Sequence, residues 1–458
     1  MDFPITETVP VEAFLDELPR RLARALSSPP RGAVFSLSAR LPGRSTVALP
    51  ESGPAVYWCR VADGRLKVGV GTAWEATCGD QDRFEALADE RRRLLEDWSA
   101  ASLDGSAPAR AAFLGFGFRP GTENHGLPGA LLWVPRVVAE RRGPSIVLHF
   151  NGRRDEDPAV LLEEWAGAAR ALARIPSAQA GERAVAELPE FPADDAHWRT
   201  RVEQALERIR SGDIDKLVIS RRVDLSVNRP PDLDRVLAWL SARYPAGTVF
   251  AVRRPEASLI GVSPERLMAL DGDLVVADAL AGSAPRGADP THDRRLGDTL
   301  MDDAKARSEH ALVVKGIVDA LEPVCAGLVA PQAPSILRLP TVQHLATHVH
   351  GRVRPGTDVL ELIRRLHPTP AVGGAPKDTA LAWLEENGEH DRGWYTGGVG
   401  WLDDAGGDVW VVLRCALLAA GRATLFAGAG IVEGSDPHAE LDETAWKLNA
   451  ILEALALG

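Results

Sequence analysis

The chain is 458 residues long, 45% hydrophobic and 25% charged, with a formal net charge of -12. That length exceeds one ordinary core, and the apolar-to-charged balance is that of a folded globular protein rather than a disordered one. An acidic chain has no general field for nucleic acid or an anionic membrane surface, so a small anionic partner has to be met by local cations.

The cysteines Cys59, Cys78, Cys325 and Cys415 are scattered and form no CxxC pair. Reduced thiols in a cytoplasmic protein are therefore expected, and a zinc site is not. The most apolar run, Val409 to Ala420, is broken by Arg414 and is shorter than the roughly 20 residues a bilayer requires. The opening MDFPITETVP has neither a basic nor an apolar export segment.

Taken in chain order, ALLWVPRVVAE and SIVLHFNG read as strands and VLLEEWAGAARALARI as an amphipathic helix, with no titratable cluster among them. The Pro-, Ala- and acid-rich stretch Pro176 to Asp195 is the clearest boundary, dividing the chain into residues 1–185 and 186–458. Beyond it, strands are expected near 216–225, 247–252, 258–262, 266–270, 273–277, 396–402, 409–419 and 422–427. Helices fit near 196–211, 293–321, 357–366, 376–387 and 437–456. Short turns such as Asp271-Gly272-Asp273 and Ala420-Gly421 join strands in pairs, which favours antiparallel hairpins and an α+β class.

Within this frame several side chains stand out. Lys216 opens the strand KLVISRRVDL on the face of Val218 and Ser220. If that face is buried, a desolvated lysine can take a proton from water, whereas most lysines at strand starts are simply solvated. Glu265, in GVSPERLMAL, sits in a turn between strands, where a protonated carboxyl can act as a general acid. Glu309 lies one turn before Val313 on a helix with an apolar stripe, although a lone glutamate on a charged helix is ordinarily a rim group.

Near the end of the chain, Asp436 and Pro437 signal a helix start, and Glu440 and Glu443 follow three apart on one face. With Glu309 they form an all-oxygen set suited to magnesium; as ordinary first-turn acids they would only offset the helix dipole. Upstream, Gly428 and Gly430 end a strand where bare backbone can approach a ligand, a weak signal alone. Arg414 is the strongest signal, because a charge inside VWVVLRCALL needs a partner, either a ligand carboxylate or a buried acid. GGAPKD lacks the spacing of a nucleotide-binding phosphate loop.

Together, KLVISR, SPERL, ALAGSAPRG, DDAKARSEH, VQHLATHVHG, HPTPAVGGAPKD, RGWYTGGVGW and AGAGIVEGSDPHAE, in this order from Asp213 to Leu452, resemble the motif series of the chorismate-utilising enzymes. The resemblance implies a layered α/β/β/α body with two large antiparallel sheets, to which residues 1–185 contribute, and magnesium-dependent chemistry on chorismate. It implies Lys216 as the base acting on water, Glu265 as the acid at the departing 4-hydroxyl, and Glu309 and Glu443 as magnesium ligands with Glu440 beside them. Arg414, Tyr395 and the backbone of Gly428 to Gly430 would clamp the enolpyruvyl carboxylate, with Gly282, Ser283 and His344 lining the same cavity. Ala371 stands where ammonia-using and salicylate-forming relatives carry threonine, and Ala281 where aminodeoxychorismate synthase carries lysine, which favours water addition and release of isochorismate. Ser283 replaces the commoner threonine and keeps the hydroxyl.

The segments ILRLPTVQHL, DALAGS and VYWCR look most like the menaquinone-pathway isochorismate synthases, with a siderophore-pathway enzyme, a salicylate synthase and a non-catalytic chorismate-binding protein as alternatives. A monomer or weak homodimer without a glutaminase subunit is expected.

Overall fold

The computed structural model describes residues 10–28, 31–43, 46–121, 125–174 and 195–457. The boundary expected at Pro176 to Asp195, and with it the division between 185 and 186, lies outside the described residues but for Asp195.

Two sheets form the body, one of 12 strands and one of 10. Pairing is antiparallel except where Val34–Leu41 lies parallel to Trp98–Ser102 at one edge. Strands from both halves of the chain share each sheet: Thr248–Arg253 pairs with Ala55–Arg60 in the larger, and Gly398–Leu402 with Ala112–Phe116 in the smaller. An aromatic layer including Trp58, Phe113, Trp133, Phe250, Trp401 and Trp410 fills the space between the sheets. The outer face of the larger sheet is covered by helices Val11–Leu26, Pro158–Ala173, Leu233–Arg243 and Pro437–Leu457. Arg83–Glu96, Ala304–Leu321 and Val359–Leu366 cover the smaller. This is the expected α/β/β/α layering, and it follows from strands that are apolar on both faces and so need cover on both.

Three expected elements are each divided. The run at 409–419 is not one strand: Gly406–Val411 belongs to the smaller sheet and Cys415–Ala419 to the larger. Arg414 sits at the crossover with φ +44°, so the chain changes sheet at the residue that broke the apolar pattern. The helix expected at 293–321 is Pro290–Asp302 followed by Ala304–Leu321, because Asp303 caps the second by accepting from the Ala306 amide at 2.6 Å. ALLWVPRVVAE likewise splits at Pro135 into Ala130–Val134 and Val137–Arg142, one in each sheet. Periodicity read each run as one segment because both pieces are apolar; only the partner strands distinguish them.

Candidate active site

Strand Lys216–Ser226 lies between Gly374–Ala375 and Arg422–Ile431, with Val218 opposite Gly430 and Ser220 opposite Gly428. Lys216 is 1% exposed, so its strand start is buried rather than solvated. Its Nζ lies 2.9 Å from Glu309 Oε1, on a helix that packs against the other sheet. A Cβ on Gly430 would come within 2.3 Å of that carboxylate oxygen and 2.8 Å of Lys216 Cε. Glycine is thus needed to leave room for the ion pair, a role the strand-end reading of Gly430 did not contain.

Glu265 occupies the turn between Ala257–Ser263 and Arg266–Asp271, where the Ser263 hydroxyl accepts from its amide at 3.2 Å. The carboxyl is buried and its Oε1 meets no hydrogen-bond partner. Burial pushes its pKa up to about 8, with Asp278 adding to the rise and Lys216 and Lys447 opposing it. At neutral pH Glu265 therefore carries a proton that it can give away.

Arg414 is buried, and among the described residues no carboxylate lies within ion-pair distance of it. Burial lowers its pKa to about 10, which leaves the guanidinium charged at neutral pH. Its Nη2 donates to His344 Nε2 at 3.0 Å. An arginine can only donate, so this contact fixes the histidine tautomer with the proton on Nδ1, which faces Ser283 Oγ at 3.1 Å. Ser283 in turn donates to Glu443 Oε1 at 3.1 Å. Burial first, then Arg414 and Lys447, push the His344 pKa down to about 3, so it stays neutral. Gly282 adopts φ +73° beside Ser283, a backbone shape that favours glycine.

Tyr395 stacks on Phe426 at 5.2 Å, and its hydroxyl would lie 3.0 Å from a Cβ on Gly428. Val218, Leu280, Ala281, Ala371, Val372 and Leu413 complete an apolar wall around the charged groups. Lys216 and Glu440 stand outside the lining; Lys216 pairs with the lining residue Glu309, and Glu440 pairs with Lys305, which does not line the cavity either.

The acidic set departs from a ready-made ligand cluster. Glu309, Glu440 and Glu443 each rest against a lysine, Glu309 on Lys216 at 2.9 Å, Glu440 on Lys305 at 2.6 Å and Glu443 on Lys447 at 2.6 Å. Among the described residues only Cys78, Asp80 and Asp82 bring three potential ligand atoms within 4.8 Å, and their two aspartates are exposed. Burial and the neighbouring Glu443 nonetheless raise the Glu440 pKa, and Lys305 feels all three carboxylates. Glu440 is buried and Glu309 and Glu443 are partly buried, and the three offer oxygen donors alone, the donor chemistry that fits a hard divalent cation such as magnesium.

Lys305 and Lys447 were not singled out from sequence. Lys447 follows Glu443 at i,i+4, the spacing that could have flagged it, and also donates to the Gly428 carbonyl at 2.8 Å. Lys305 pairs with a residue 135 positions away and has no local signal.

Fold and site together define a two-sheet α+β protein whose pocket sets a buried cation, without a carboxylate partner among the described residues, beside a protonated carboxyl, with the Lys216–Glu309 pair at its edge. The chain belongs to the chorismate binding enzyme family, whose model matches residues 30–456. It is 36% identical over 84% of its length to the salicylate biosynthesis isochorismate synthase of Pseudomonas aeruginosa, covering 82% of that protein. Against isochorismate synthase MenF of Bacillus subtilis the identity is 31%, over 88% of each. The solved structure of the menaquinone-specific isochorismate synthase MenF from Escherichia coli superposes with a TM-score of 0.79 at 25% identity, over 97% of this chain and 99% of that one.

Proposed function

We propose that this protein converts chorismate to isochorismate with magnesium as its cofactor. The observation that carries the reading is Arg414: a buried cation without a carboxylate partner among the described residues, sharing one pocket with protonated Glu265 and with the Lys216–Glu309 pair behind it. Such a cation favours an anionic ligand that completes it.

In this reading Arg414 and Tyr395 hold the enolpyruvyl carboxylate, with the backbone at Gly428 and Gly430 alongside. The Lys216 amine accepts a proton from water as its oxygen bonds to ring carbon 2. The ring double bonds shift, and the 4-hydroxyl leaves as water with the proton of Glu265. One water enters and one leaves, so the change is an isomerisation. Glu309 and Glu443, with Glu440 beside them, would hold magnesium, which when bound supplies positive charge for the ring carboxylate. Ala371 offers no hydroxyl toward the ring, which supports release of isochorismate over further reaction.

Purified protein given chorismate and magnesium is expected to yield isochorismate alone by chromatography, to stop with a chelator and to recover with added magnesium. Salicylate with pyruvate would instead assign a salicylate synthase, product only with ammonia an anthranilate-type enzyme, and binding without turnover a non-catalytic protein. Assignment to menaquinone biosynthesis rests on ILRLPTVQHL, DALAGS and VYWCR, with a siderophore-pathway enzyme as the second reading; one relative is named for salicylate biosynthesis.

Arg414→Lys keeps the charge and loses the fork. The expected result in steady-state kinetics is a KM for chorismate raised about ten- to a hundredfold, since one charge-assisted hydrogen bond contributes about 1.5–3 kcal/mol.

A further inference from the structure

Arg392, in the segment between helix Lys377–Glu386 and strand Gly398–Leu402, has a fully buried side chain. Its guanidinium contacts acceptors from separate walls of the pocket. Nη2 donates to the Val218 carbonyl at 2.6 Å, on the strand that carries Lys216, and Nη1 to the Val372 carbonyl at 2.7 Å, next to Ala371. Nη1 also reaches Thr396 Oγ1 at 3.4 Å, next to Tyr395. Val218, Val372 and Thr396 all line the cavity, whereas Arg392 does not.

The charge is anchored from behind. Nε donates to Glu389 Oε1 at 2.8 Å, and Glu389 also accepts from Arg201 and from Ser220 on the Lys216 strand. Against the upward push of burial, Arg392 and Arg201 hold the Glu389 pKa down to about 2, so it is ionised throughout the working range. The Phe118 ring covers the guanidinium at 4.3 Å.

We propose that Arg392 is a positioning residue that sets the distance between the Lys216 strand and the ring-facing segment at Ala371 and Val372. Only a planar guanidinium has donors fanned widely enough to meet these acceptors together, and a lysine ammonium concentrates its donors on one atom. Because Arg414 lies on neither tied segment, and the contact to Thr396 beside Tyr395 is the longest of the three at 3.4 Å, loosening Arg392 moves the base relative to the ring wall more than it opens the carboxylate clamp. The effect therefore falls on kcat, where a displacement of about 1 Å costs on the order of a hundredfold, more than on KM.

The proposal rests on the chorismate reading, and its test separates the two. The wild-type product decides that reading, and variant-to-wild-type ratios, for whatever product forms, decide this one. Arg392→Lys is expected to lose about a hundredfold in kcat with KM for chorismate within about threefold. Arg201→Lys is the control, because Arg201 shares Glu389 but reaches no lining residue; it is expected to lower the unfolding temperature and keep kcat within about threefold. Phe118→Leu removes the ring over the guanidinium and no hydrogen-bond donor to the pocket walls, so if Arg392→Lys does not fold, a drop in kcat at constant KM in this variant carries the same result. Equal kcat losses in Arg392→Lys and Arg201→Lys, a change confined to KM, or wild-type kcat in Phe118→Leu where that variant is the test, would overturn it.

Discussion

Lys216→Ala is expected to lower kcat for chorismate by about 10²- to 10⁴-fold, the usual contribution of a positioned proton acceptor, while substrate affinity changes little. Affinity is expected to survive because the proposed carboxylate clamp, Arg414 and Tyr395, lies outside strand Lys216–Ser226. The variant also removes the Lys216 nitrogen now 2.9 Å from Glu309, so the fold should lose stability as the carboxylate is left without that partner. Stopped-time product assays together with tryptophan-fluorescence titration of chorismate separate the two effects. Turnover at the wild-type rate would remove Lys216 from its role.

Glu265→Gln is the second large effect, again about 10²- to 10⁴-fold in kcat, because the amide has no proton for the departing hydroxyl. Its pH behaviour has a defined sign. Wild-type Glu265 has a pKa of about 8 in the fold against an ordinary 4.5, so the folded protein binds the proton more tightly than the unfolded chain. The stabilising contribution of the protonated form is complete below about pH 4.5 and is lost progressively as pH rises toward 8, by several kcal/mol in total. Glutamine pays none of this. The variant should therefore melt above wild type at pH 8.5, with the gap closing as pH falls toward 5. In the wild type, kcat/KM for chorismate should decline on its alkaline side, above about pH 8, following the same carboxyl. A variant that melts below wild type at both pH values would contradict the burial of an uncompensated acid.

Much of the architecture was legible in local patterns. Hairpin turns announced antiparallel pairing, and strands such as Thr248–Arg253 and Ala257–Ser263 lie within a residue of their expected places. Helix Leu233–Arg243 and strands Ser335–Arg338 and Val342–Val353 were not anticipated, and the last pairs with Leu274–Pro285 to form the site's second wall. Leu233–Arg243 has a clear cap in Asp232, which accepts from the Arg235 amide, so its signal was present in sequence. Val342–Val353 was obscured by its histidines and threonine, polar residues of which tertiary packing buries His344 on the pocket side and Thr347 against His310 of the covering helix.

For the site, sequence by itself determined which residue types the chemistry has available and in what order: an arginine too deep in an apolar run to be idle, a pair of acids opening a helix, a glutamate in a turn. It could not say whether Lys216 was buried, since an exposed and a buried strand start read alike. Only the tertiary structure decided that Glu265 is protonated, that each acid rests on a lysine, and that Arg414 stands at the crossover between sheets with a neutral histidine and no carboxylate within reach among the described residues. The reason is physical. Local periodicity records which face of an element is apolar, whereas desolvation and charge pairing sum over groups brought together from far apart in the chain, as Lys305 and Glu440 are across 135 positions.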